Sequence, residues 1–184
     1  MKRERRRRRP AAARRRPAEQ PALVAIVGKN HAAITALVET LSLELVKLGL
    51  RVGTIAWRSH GLEIDRHGDD QWGDGRPGGL ASAAAPERLP FPDGLGGEMS
   101  LADIARHSLG DVDLVVAEGF GRTAPHRIEL VTDGEGRDAS IHAPGEALAL
   151  VTNAEVRHVH RLAPGDTAGL ARFIAARLDT LRVY

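Results

Sequence analysis

The chain has 184 residues, the size of one domain, and its 42% hydrophobic and 27% charged side chains are the balance of a protein that folds around a core. It has no cysteine, which excludes a disulfide framework, a zinc-thiolate site and an iron–sulfur cluster, and accords with a cytoplasmic location. The net charge of +2 is the difference between two unlike parts: residues 1–20 carry ten Lys/Arg and two Glu, giving +8, and residues 21–184 carry 16 basic and 22 acidic side chains, giving −6.

A block of like charges with Pro and Ala cannot collapse on itself, so residues 1–20 are expected to be a disordered Arg-rich tail and residues 21–184 a single domain. A secretory signal would need an apolar stretch of about 7 to 15 residues after the arginines, and AEQPALVAIVG does not supply one. No apolar run reaches the roughly 18 to 20 residues that a membrane span requires. The tail reads as a solvated extension, with an electrostatic arm for RNA, DNA or anionic lipid as the alternative. The acidic body gives no support for nucleic acid as its partner.

Ala22-Leu-Val-Ala-Ile-Val27 is an apolar, β-branched run of the kind found in a strand buried on both faces. Gly28 to Ala33 is expected to be a loop. From Thr35 to Leu48 the residues Leu37, Val38, Leu41, Leu45 and Leu48 recur at helical spacing, and Gly49 closes the helix. Val52 to Trp57 is a second strand. Residues 58–98, rich in Gly and Pro, read as long loops around short elements. Ser100 is placed to cap a helix through about Ser108, and Val112 to Ala117 is a third strand ending in Glu118-Gly119-Phe120. Arg127 to Val131 and Ala147 to Val151 are two more strands. Asp166 to Arg177 is an amphipathic helix with Leu170, Phe173, Ile174 and Leu178 on one face. Strands alternating with helices predict an α/β fold with a mostly parallel sheet.

The first strand–helix turn carries the chemistry. The phosphate-loop template G-x-x-x-x-G-K-[ST] falls on Gly28, Lys29, Asn30, His31, Ala32, Ala33, Ile34 and Thr35. The first Gly and the final Thr are present, whereas Ala33 replaces the second Gly and Ile34 replaces the lysine. Such a loop binds anions through backbone N–H groups at a helix start, and the methyl of Ala33 crowds that approach. The lysine neutralises the β- and γ-phosphates. Losing a charge-assisted hydrogen bond costs on the order of 1.5–3 kcal/mol, roughly 10- to 150-fold in affinity. Hydrolysis should suffer more, because the lysine also stabilises transition-state charge.

Glu118 stands at the C-terminal end of a buried strand, where ligands bind in open α/β sheets, and could hold Mg²⁺ or position water; a solvated strand-end carboxylate is the plainer alternative. Asp65, Asp69 and Asp70 divide evenly between a site and a charged loop. His60, His67 and His107 match no helical ligand spacing and read as loop histidines. Trp57 and Trp72 are expected to pack in the core. No nucleophile elbow surrounds Ser59.

Three stretches in register are similar to the MobB family of molybdopterin guanine dinucleotide biosynthesis. They are VAIVGKNHAAITALVETL; Ile64-Asp65 followed by Gly68-Asp69-Asp70-Gln71-Trp72 and Arg76-Pro77-Gly78-Gly79; and Asp113-Leu-Val-Val-Ala-Glu118-Gly119-Phe120, with a weaker echo at Ala149 to Asn153. Order and spacing agree across residues 22–180. The resemblance implies a P-loop NTPase-like domain and a homodimeric GTP-binding protein that assists the guanylyltransferase MobA, with a molybdoenzyme as client. It implies GTP and Mg²⁺ as cofactors: Thr35, Asp65 and Glu118 toward the metal, Glu118 in any catalytic role, and Gly28 to Thr35, Asp70, Gly119 and Asn153 toward the nucleotide. Ala33 and Ile34 depart from the family pattern and leave at most a weak GTPase. Two alternatives stand beside it. One is a scaffold that no longer binds nucleotide. The other is a nucleic-acid- or membrane-tethered relative of ParA/MinD-type ATPases, using the tail as anchor and Lys29 across a dimer.

Overall fold

The computed structural model describes residues 20–58, 61–67, 100–121, 124–132 and 147–182. Strand β1 (Ala22–Gly28) is the centre of the sheet, buried from Ala22 to Val27 as its unbroken apolar run requires. Its neighbours are both parallel, β4 (Leu114–Glu118) on one side and β5 (Arg127–Leu130) on the other. Beyond β4 lies β2 (Val52–Arg58), also parallel, and then β3 (Gly61–His67), which pairs antiparallel with β2 at the edge. Beyond β5 come β6 (Ala149–Val151) and β7 (His160–Leu162), both parallel. The order is β3-β2-β4-β1-β5-β6-β7. The domain is thus α/β with a mostly parallel sheet, as expected, and β4 lies between the two strands that the first helix connects.

Alternate residues of the central strands serve opposite faces. Val24, Ile26, Val52, Leu114, Val116 and Ile128 pack under α1 (His31–Lys47) and α3 (Thr167–Ala175), which also pack on each other. Leu23, Ala25, Val27, Ile55, Val115 and Ala117 pack against α2 (Leu101–Leu109). Ser100 caps α2 as expected, in a reciprocal capping box with Asp103. Asp166 caps α3 by accepting the Gly169 N–H. The α3 face buries Leu170, Phe173 and Ile174 as the periodicity indicates, with Leu178 partly buried in the 3-10 turn Leu178–Leu181 that follows.

The fold departs from the sequence reading at four places. Helix α1 starts at His31, so the expected loop from Gly28 to Ala33 is cut to Lys29 and Asn30. An edge strand, β3, occupies the start of the stretch read as loops, and β7 occupies a stretch assigned no element. Trp57, expected to pack, stands 69% exposed. Trp72, Asp69, Asp70 and His60 lie outside the described residues, as do residues 1–19 of the tail. Among the described residues no helix is long and apolar enough to cross a membrane.

The two rims of the sheet differ. At the rim where β1 begins, Asp113 accepts hydrogen bonds from the Arg51 backbone N–H, Nε and Nη2, and Arg182 Nη1 donates to the Gln20 carbonyl. The bidentate contact with Asp113 holds the Arg51 guanidinium more firmly charged than usual, against the opposing effect of partial burial. At the other rim β1 runs through Lys29 and Asn30 into α1, and β4 ends at Glu118.

Candidate functional site

Two of the sequence-expected residues, Thr35 and Glu118, meet at that second rim, where β1 and β4 end side by side. Thr35, in the first turns of α1, places its Oγ1 2.7 Å from Glu118 Oε1 at the end of β4. The same oxygen lies 3.0 Å from the His31 carbonyl, a back-bond common for Thr in a helix. A hydroxyl has one proton and two lone pairs. Given to the carboxylate, the proton leaves oxygen lone pairs to offer a cation, next to a carboxylate only 9% exposed. Helix and sheet bring these two groups together from 83 residues apart.

The turn after Glu118 is sharply bent. Gly119 adopts φ +86°, its N–H donating to the Ile26 carbonyl at 2.9 Å, and Phe120 follows at φ 60°. A non-glycine residue there is strained, and the packing of Phe120 against the α2-side core holds it. Nothing in the sequence marks Phe120 as strained; only the glycine before it hints at a tight turn.

Gly28 has a reason other than the one the template gives. A Cβ on it would lie 2.5 Å from the Leu130 carbonyl oxygen, so the close approach of β5 demands glycine here. Lys29, Asn30, His31 and Ala32 are exposed and Ala33 is half-buried. Ile34 is 2% exposed within the α1-side core, near the carbon that Gly28 lacks. The position that carries the phosphate lysine in the template is therefore an apolar anchor for the helix.

The cradle itself is wound into helix. Asn30 accepts the Ala33 N–H on its side-chain Oδ1 at 3.1 Å and the Ile34 N–H on its carbonyl at 3.0 Å. The sequence explains the early start. Asn is among the best N-cap residues, and alanine at position 33 favours helix by about 1 kcal/mol over the glycine of the template.

The other expected residues are spread along the sheet. Asp65 on β3 pairs with Thr54, which pairs with Val116, so it shares a face with Glu118 but lies two strands across and two residues back along the sheet, roughly 12 Å away. Glu63, which the sequence reading passed over, is level with Ala56 and Glu118 on that face. His67, at the far end of β3, lies 3.2 Å by its Nε2 from Thr54 Oγ1. Burial lowers its pKa from the ordinary value of 6.5, opposed by the Asp65 carboxylate. Asn153 is exposed just past β6, three strands from Glu118. Its turn is held by buried Thr152, whose Oγ1 accepts the Ala154 N–H.

Among the described residues no three His, Asp or Glu side chains gather into a metal-binding group. The donors that do meet, the Thr35 hydroxyl and the Glu118 carboxylate, are hard oxygens. They suit a Mg²⁺ that takes its remaining ligands from phosphate and water. The helical first turn does not suit a polyphosphate as it stands, because two of the N–H groups that would receive it are already bonded to Asn30.

The family model for molybdopterin guanine dinucleotide synthesis protein B, MobB, matches residues 23–153. A solved structure titled as a crystal structure of molybdopterin-guanine biosynthesis protein B superposes with a TM-score of 0.54 at 22% identity, covering 85% of this chain and 99% of that one. No curated protein matches the chain. The structural likeness establishes the P-loop NTPase-like fold, and the family model covers β1 from Leu23, the Thr35–Glu118 pair and the chain up to Asn153. The chain belongs to the MobB family, and so to molybdopterin guanine dinucleotide biosynthesis.

Proposed function

We propose that this chain is an accessory protein of that pathway which binds GTP weakly with Mg²⁺, hydrolyses little or none of it, and assists a MobA-like guanylyltransferase as a homodimer. The observation that carries the reading is the hydrogen bond between Thr35 Oγ1 and Glu118 Oε1 at the ends of adjacent elements. It preserves the magnesium half of a phosphate-loop site. The other half is diminished, since Ile34 is packed in the core where a lysine would meet the β- and γ-phosphates. Without that cation the transition-state charge of phosphoryl transfer has less to stabilise it. Thr35 and Glu118 would hold the metal, which would supply charge neutralisation at the phosphates. Lys29, exposed beside the first turn, is the nearest cation in sequence to stand in for the missing lysine.

A second reading is favoured by the closed first turn: a scaffold that docks on its transferase without nucleotide. Reconstituted transfer of GMP to molybdopterin by a MobA-like enzyme separates the two. On the leading reading the native chain raises the transfer rate and Thr35→Ala abolishes that effect. If Thr35→Ala stimulates as well as the native chain, the scaffold reading holds and the magnesium site is a remnant. A Glu118→Gln variant, which keeps a hydrogen-bond partner for Thr35 but loses the charge, should behave like Thr35→Ala.

A further inference from the structure

The N–H groups that a phosphate would use at the start of α1 belong to residues that Asn30 already serves. Its Oδ1 takes the Ala33 N–H at 3.1 Å and its carbonyl takes the Ile34 N–H at 3.0 Å. A carboxamide oxygen and a phosphate oxygen are both acceptors, and one N–H aimed along one direction serves one of them well. The first turn holds no Asp or Glu that would repel an anion. Lys29, exposed beside Asn30, adds a positive charge next to the turn. The helix thus sets no acidic side chain of its own in the turn, whose nearest carboxylate is that of Glu118 at Thr35, and the turn is occupied by its own cap.

We infer that Asn30 is a built-in competitor of the ligand phosphate: its side chain holds the first turn of α1 closed, and phosphate enters as that cap lets go. This rests on the nucleotide reading given above. Two features of the chain set the balance. Ala32 and Ala33 give the closed turn helix-forming residues in place of a glycine, and buried Ile34 ties the turn to the core. Opening then breaks the Asn30 cap while the remainder of α1, anchored by Leu37, Leu41 and Leu45, stays in place. Apparent affinity is the intrinsic affinity reduced by the fraction of open turn, so weakening the cap should tighten binding.

The test is titration calorimetry of the full chain with GDP in Mg²⁺, comparing the native protein with Asn30→Ala and Asn30→Ser. Alanine cannot cap, whereas serine caps about as well as asparagine. Asn30→Ala is expected to bind GDP roughly five-fold more tightly than native, and Asn30→Ser to bind as native does. Amide hydrogen exchange gives a readout independent of affinity: the Ala33 N–H should exchange faster in Asn30→Ala, and GDP should slow it again. Binding in Asn30→Ala equal to or weaker than native, with native binding present, overturns the competitor role and leaves the nucleotide reading standing. Binding in Asn30→Ala alone supports the competitor role in a chain whose site is shut. Absence of binding in all three proteins overturns both.

Discussion

At the turn between β1 and α1, two single residues do work that their motif positions do not reveal. Gly28 answers to the template, yet the structure requires it because the Leu130 carbonyl oxygen lies 2.5 Å from where a Cβ would be. Backbone cannot swing away as a flexible side chain would. Gly28→Ala is therefore expected to destabilise the fold by about 1–3 kcal/mol, read as a lower urea midpoint, whether or not nucleotide is present. A midpoint unchanged from native would show that β5 shifts freely and that the glycine serves the ligand alone. Ile34 is the converse case. As a departure from a motif it marks a lost lysine, and in the fold it is an apolar anchor for α1, which starts three residues earlier at His31.

At the scale of elements, the strongly periodic segments were legible and the weakly periodic ones were not. The unbroken apolar runs of β1 and β4 announce central strands, and the Leu37, Leu41, Leu45 stripe announces α1. Strand β3 offers only Leu62 and Ile64 on one face against Glu63, Asp65 and His67 on the other, a short alternation amid Gly-rich surroundings. Strand β7 is three residues long, two of them exposed, and owes its place to pairing with β6 rather than to any pattern of its own. The start of α1 escaped for a different reason: the loop template invited a loop reading, while Asn30, Ala32 and Ala33 locally favour a capped helix. At the site, Thr35 and Glu118 were legible from motif position, whereas their contact, and the strain at Phe120, are products of the fold.

The polar face of the β2–β3 hairpin carries a pH response. Burial depresses the His67 pKa below its ordinary 6.5, with Asp65 working in the opposite direction, and burial also depresses that of His126. Both residues then bind a proton more readily unfolded than folded. Their contribution to stability is complete above the unfolded pKa and is lost as pH falls through the folded one. The protein should lose stability on acidification below about pH 6.5. His67→Gln, which keeps a polar partner for Thr54, should flatten that loss when urea midpoints are compared across the interval. An identical pH dependence in the variant would remove His67 from the response.

Across the whole molecule, the sheet has a tied rim and an open rim. Arg51 with Asp113, and Arg182 with Gln20, fasten the rim where β1 begins. Thr35, Glu118, Gly119 and Asn153 lie along the rim where β1, β4 and β6 end, the side on which ligands bind in open α/β sheets. On the proposed reading, stability and ligand chemistry fall at opposite ends of the same strands. On that reading, in which Thr35 and Glu118 would hold Mg²⁺ and the first turn of α1 is already helical, the chain should bind nucleotide through the metal more than through the loop. The most direct measurement is a titration of GTP into the full chain in Mg²⁺ and again in EDTA. Weak binding that disappears without Mg²⁺ is the result predicted. Tight binding that survives EDTA would contradict the account, because it would mean that the loop, and not the Thr35–Glu118 pair, holds the nucleotide.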